Sequence, residues 1–104
     1  MDTLPSFDYL IAQVQNWAVD KGIAVTDDLS KQMLKVIEEV GETAGAIAKK
    51  NHDDIVDGIG DSFVTLIILC QQAGVDPRFA LESAYNVIAK RKGKTVNGVF
   101  IKED

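Results

Sequence analysis

The chain has 104 residues, 46% of them apolar and 26% charged, with a net charge of −5 and a pI near 4.7. These values suit one globular domain, residues 1–104, whose core is thin enough to invite oligomer formation. The negative balance argues against a surface built for general nucleic-acid binding, and a single cysteine, Cys70, excludes an internal disulfide.

The N-terminus carries Asp2 and Pro5 and lacks the basic start of a signal peptide. Helical periodicity begins at once. Phe7, Leu10, Ile11, Val14, Trp17 and Ala18 recur at helical spacing, which predicts a helix from about Ser6, its cap, to Lys21, with Gly22 as the stop. A second helix is expected from about Asp28 to Lys50, with Met33, Ile37, Val40, Ala44 and Ile47 as its apolar stripe. Lys49 and Lys50 suit its negative C-terminal end.

Asn51-His52-Asp53 has the chemistry of an N-cap and opens a third helix, about Asp53 to Ala73, which Gly74 ends. The run Phe63 to Cys70 is apolar almost all round. That predicts burial on every side, and the run is too short to span a bilayer. Cys70 within it reads as a small buried hydrophobe, consistent with a reducing, cytoplasmic setting. Asp76-Pro77 reads as a cap and first turn of a fourth helix reaching about Lys90, with Phe79, Leu81, Ala84, Val87 and Ile88 as its apolar set. In the tail from Arg91 to Asp104, Asn97-Gly98 marks a turn between Thr95-Val96 and Val99-Phe100. The expected fold is a small all-α bundle of four to five helices with short connections.

Two acidic clusters stand out. Glu38-Glu39-Val40-Gly41-Glu42 lies on the second helix, and Asp53, Asp54, Asp57 and Asp61 lie on the third. Together they hold seven of the sixteen acidic residues. On the second helix alone this is an ordinary amphipathic pattern, because the three glutamates fall opposite the apolar stripe. The third helix weighs against a merely solvated face. Asp54, Asp57 and Asp61 share a face that continues into Val64 and Ile68, so the acids run into a buried strip. Crowded, partly desolvated carboxylates need a cation or shifted pKa values. Oxygen ligands of this kind suit Mg²⁺, with Mn²⁺ able to stand in. Gly41, Gly45, Gly58 and Gly60 interleave the acids, each at about 0.5–1 kcal/mol relative to alanine. A close helix approach, or the approach of a ligand, would offset that cost.

At these residues the chain resembles the MazG-like nucleoside triphosphate pyrophosphohydrolases of the all-α NTP pyrophosphatase superfamily. Their Glu-Glu-x-x-Glu motif is matched in full by Glu38-Glu39-Val40-Gly41-Glu42. Their second motif, Glu-x-x-Asp, is matched only at Asp61. Gly58 stands where the Glu belongs, with Asp57 one residue further back on the same face. Trp17-Ala18, Lys21-Gly22-Ile23, Gln32 and Lys35 before the motifs, and Asn86, Lys90-Arg91-Lys92-Gly93-Lys94 and Asn97-Gly98-Val99-Phe100 after them, extend the likeness over about the whole chain.

The resemblance implies a homodimer or homotetramer that hydrolyses a (deoxy)nucleoside triphosphate to monophosphate and pyrophosphate with Mg²⁺, as in nucleotide-pool cleaning. Glu39, Glu42 and Asp61 are the expected metal ligands, with Glu38 and Asp57 next, Asp57 standing in for the Glu that the motif lacks at Gly58. Glu38 and Glu39 are the catalytic carboxylates, and Glu38 is suited to hold or deprotonate the attacking water. Asp54 is outer or structural. Lys90, Arg91 and Lys94 would clamp phosphates, although positive charge also suits a helix C-terminus. Trp17 could stack on a base or belong to the core or a subunit interface, and Asn86 could bond a base or sugar. His52, alone among acids, makes no zinc signature. Two other readings stay open: a dUTPase-like or phosphoribosyl-ATP pyrophosphatase-like relative, or a non-catalytic helical interaction module, which the Gly58 departure favours.

Overall fold

A computed structural model of the protein describes residues 3–103, and Asp2 and Asp104 lie outside them. Four helices follow one another: α1 (Phe7–Asp20), α2 (Ser30–Ala48), α3 (His52–Gln72) and α4 (Pro77–Ile88). They are followed by a hairpin of β1 (Gly93–Val96) and β2 (Val99–Lys102). Each boundary has a local cause. The Ser6 hydroxyl accepts from the Tyr9 N–H, the Asn51 side chain from the Asp54 N–H, and the Asp76 carboxylate from the Arg78 N–H. Helix α2 starts two residues later than expected. The Asp28 carboxylate is engaged by the Ser30 N–H (3.0 Å) and hydroxyl (2.6 Å), bonds that hold it below the usual carboxylate range.

The stops are equally local. Gly22 and Gly74 take positive φ after α1 and α3, so that Ile23 and Val75 donate back to the Ala18 and Cys70 carbonyls. The same left-handed position after α2 is filled by Lys50 (φ 57°), and Asn51 donates to the Ala46 carbonyl. Asn97 and Gly98, at φ 51° and 78°, turn the antiparallel hairpin, which is two residues longer per strand than the sequence suggests.

Helices α2 and α3 form an antiparallel pair, α1 packs on α3, and α4 packs on α3 and reaches α1 through the Arg78 side chain. Gln32 Nε2 donates to the Thr65 carbonyl (3.1 Å), tying α2 to α3. Gln71 Nε2 donates to the Gln15 carbonyl (3.2 Å), tying α3 to α1. Phe7 and Phe63 meet edge to face, with ring centroids 5.6 Å apart. Arg78 pairs with Asp76 (2.8 Å) and with Asp8 of α1 (3.7 Å). The buried hydrophobic residues are Ile11, Ala18, Val36, Ala46, Ile67 and Ile68, a thin core.

Two expectations are corrected. The face of α2 that meets α3 is not the most apolar one. It is the strip Gln32, Val36, Glu39, Thr43 and Ala46, buried or half-buried, while Met33, Ile37, Val40, Ala44 and Ile47 are exposed. The cause is a close crossing at Gly58, which is buried. A Cβ there would lie 3.0 Å from Thr43 Cβ, 3.1 Å from Thr43 Cα and closer still to Thr43 Oγ1. Gly41, Gly45 and Gly60 have open space instead, so only one of the four glycines serves the crossing. Likewise the run Phe63–Cys70 is not buried on every side. Ile67 and Ile68 are buried, but Phe63 and Leu66 remain exposed because α1 and α2 cover only part of α3. The apolar set of α4 is exposed throughout.

The accessible surface is 8228 Å². A self-sufficient monomer of 11.3 kDa would show about 5,700 Å². The radius of gyration, 16.2 Å, also exceeds the roughly 13 Å expected of a compact domain of this length. No single helix among the described residues is long and apolar enough to cross a membrane.

Candidate active site

The α2–α3 pair carries three neighbouring stripes on each helix. The middle one packs across the crossing. One residue back along each helix, at roughly 100° around it, lie the acids: Glu38, Glu42, Gly45 and Lys49 on α2, and Asp54, Asp57 and Asp61 on α3. Most of these line an open cleft of about 390 Å³, whose walls are Glu42, Gly45, Ala46 and Lys49 on one side and Asp54, Asp57, Gly58 and Asp61 on the other. The continuation of the α3 acids into Val64 and Ile68 holds: Ile68 is buried and Val64 half-buried.

Glu39 belongs to the middle stripe, not to the solvated side. It is half-buried, its carbonyl accepts from the Thr43 hydroxyl (2.8 Å), and its Oε2 is buried with no hydrogen-bond partner. Burial pushes the Glu39 carboxyl above its ordinary pKa, and the charges of Glu42, Asp61 and Glu38 add to the shift. A buried orphan oxygen among like charges is what a bound cation relieves, and the donor set, all carboxylate oxygens, is that of a hard divalent ion. The carboxylates flank the cleft without converging. Among the described residues no group of three is close enough to hold a metal ion.

The other candidates lie elsewhere. Glu38 is exposed and pairs with Lys35 (3.5 Å). Trp17 lines a separate apolar hollow with Leu10, Gln13, Val14 and Val64. Asn86 is exposed on α4. Lys90, Arg91 and Lys92 surround another hollow with Glu103 at the root of the hairpin, and Lys94 is exposed on β1. None of these lines the acidic cleft. The basic residue that does is Lys49, which was read from sequence only as a helix-end charge. Its signal was its place seven residues after Glu42, two turns along the same face.

A family model described as the MazG nucleotide pyrophosphohydrolase domain matches residues 28–99. An uncharacterised 18.2 kDa protein of the rep-hol intergenic region of Haemophilus phage HP1 (strain HP1c1) is 39% identical over 67 residues, which cover 64% of this chain and 41% of that protein. The chain therefore matches less than half the length of this relative. No solved structure matches.

Proposed function

The chain belongs to the MazG nucleotide pyrophosphohydrolase domain family, and from that premise we propose that it is a Mg²⁺-dependent pyrophosphohydrolase. It converts a nucleoside or deoxynucleoside triphosphate to the monophosphate and pyrophosphate, acting as one domain over residues 1–104 in a homodimer or homotetramer. The observation that carries this reading is Glu39, half-buried with an unpartnered oxygen and crowded by the charges of Glu42 and Asp61, which line the acidic cleft, and of Glu38.

Glu39, Glu42, Asp57 and Asp61 would hold the metal. Asp57 takes the place of the missing Glu because a side chain at position 58 would run into Thr43 rather than stand free. When bound, Mg²⁺ neutralises phosphate oxygens and lowers the pKa of a bound water. Glu38, exposed beside Glu39, is free to exchange its Lys35 partner for the attacking water and to accept its proton. The α–β phosphoanhydride then breaks and pyrophosphate leaves. Lys49, the cation in the cleft, would pair with the β- and γ-phosphate oxygens of the bound triphosphate. Trp17, Asn86, Lys90, Arg91 and Lys94 would reach the nucleotide from a neighbouring subunit, since within one chain they stand apart from the cleft.

The test is product analysis with a panel of NTPs and dNTPs plus Mg²⁺, for wild type and Glu42→Ala. Monophosphate and pyrophosphate from wild type alone are expected. Diphosphate and orthophosphate would refute the cleavage site. No turnover, with no Mg²⁺-dependent rise in Tm, would favour a non-catalytic helical module.

A further inference from the structure

Packing accounts for Gly58 but not for Gly45. Gly45 weakens α2 as any helix-interior glycine does, and a Cβ there would meet nothing within 4 Å. Of the three glycines with such open space inside α2 and α3, Gly45 is the one that lines the acidic cleft. It lies on the α2 wall about one turn from Glu42 and one turn from Lys49. Helix α3 runs the other way past it, crossing at Gly58 and Thr43. Asp61 therefore stands close to the level of Glu42, Asp57 to that of Gly45 and Asp54 to that of Lys49. Lys49 is the cation on these walls and, among the described residues, makes an ion pair with none of the four carboxylates.

We propose that Lys49 and the bare backbone of Gly45 form a subsite for the γ-phosphate, so that the cleft selects a triphosphate over a diphosphate. The proposal rests on the catalytic reading above and adds to it what measures the length of the phosphate chain. The seven positions from Glu42 to Lys49 span about 10.5 Å at the helical rise. A helical side chain leans towards the N-terminus and covers the turn before its own Cα, which for Lys49 is the turn of Gly45. An ammonium group set back by one turn stands about 5 Å from the level of Glu42 and Asp61. That is close to the α-to-γ phosphorus span of an extended triphosphate. With the metal carboxylates around the α- and β-phosphates, the β–γ bridge passes over Gly45 and the γ-phosphate arrives at Lys49. A diphosphate stops short of this place. A side chain at position 45 would stand in the path, and Asp54 on the facing wall repels a phosphate that meets no cation there. The walls hold no aromatic side chain. The cleft thus offers nothing to stack on a base, and what it reads is the phosphate chain.

The experiment takes the panel triphosphate that turns over fastest, as its α,β-methylene analogue, beside the α,β-methylene analogue of the matching diphosphate. Calorimetry with Mg²⁺ gives a Kd for each. Wild type should bind the triphosphate analogue about tenfold more tightly or better. Lys49→Met and Gly45→Leu should each bring the two Kd values close to equality, by weakening the triphosphate and leaving the diphosphate, and Lys49→Arg should restore the gap. Gly45→Leu should keep its helical circular dichroism and melt at or above wild type, since leucine is the better helix former and a Cβ there meets nothing. A Gly45→Leu protein that melts below wild type assigns the glycine to packing and overturns the open path. A Kd ratio unchanged in both variants overturns the subsite, while continued turnover leaves the catalytic reading standing. No turnover of any panel member removes that reading and the subsite with it.

Discussion

Gly58→Ala is expected to destabilise the protein although alanine is the better helix former. The added methyl would lie 3.0 Å from Thr43 Cβ and 3.1 Å from Thr43 Cα. The second contact is with backbone, so relief requires α2 and α3 to separate by a few tenths of an ångström. Overpacking of this kind costs about 1–3 kcal/mol, against a gain of about 0.5–1 kcal/mol for replacing glycine in a helix. The net loss spans about 0–2.5 kcal/mol and centres on about 1 kcal/mol, which lowers Tm by roughly 4–8 °C per kcal/mol in a domain of this size. Gly60→Ala, with nothing within 4 Å of its Cβ, should instead gain about the propensity difference. Thermal melts of both variants, with Thr43→Ala and the Gly58→Ala/Thr43→Ala pair to measure coupling, decide the matter. Motif reasoning and geometry then part at Gly58→Glu. Restoring the family's carboxylate should add a metal ligand by the first and wreck the crossing by the second, and we expect the second. A Gly58→Ala variant at least as stable as Gly60→Ala would refute the close crossing, and with it the reason proposed for Asp57 in place of the missing Glu.

Glu39→Gln should raise Tm in EDTA at pH 7. A carboxyl whose folded pKa lies above its unfolded one weakens the fold at pH above both, a penalty relieved as pH falls through the folded value. The same variant should lose any Mg²⁺-dependent rise in Tm, and a lower Tm in EDTA would contradict the crowding. Asp76 shows the opposite sign. Its hydrogen bonds from Arg78 lower its pKa to about 2, so its contribution is present above pH 4 and fades as pH falls towards 2. Amide exchange in the first turn of α4 should speed up over that window in wild type and be flat in Asp76→Ala. Lys49→Met should raise KM for the triphosphate roughly tenfold or more with kcat little changed, and Lys49→Arg should restore it. Steady-state kinetics that show no shift in KM would remove Lys49 from the phosphate site.

What could be read along the chain is what is decided within a few residues. The four helices, their Ser6, Asn51 and Asp76 caps, the glycine stops and the Asn97-Gly98 turn all rest on hydrogen bonds spanning two to five positions. The acidic stripe of α3 was legible for the same reason, since periodicity alone puts Asp54, Asp57 and Asp61 on one face. The face that α2 turns inward was not. Hydrophobicity ranks Met33, Ile37, Val40, Ala44 and Ile47 first, but contact between helices is set by how near their backbones can come. Gly58 against Thr43 brings the Val36–Glu39–Thr43 strip inside. That one rotation draws Glu39 out of water and places Lys49 at the acidic cleft. It also leaves the most apolar stripe outside, and no interaction local to either helix encodes that choice.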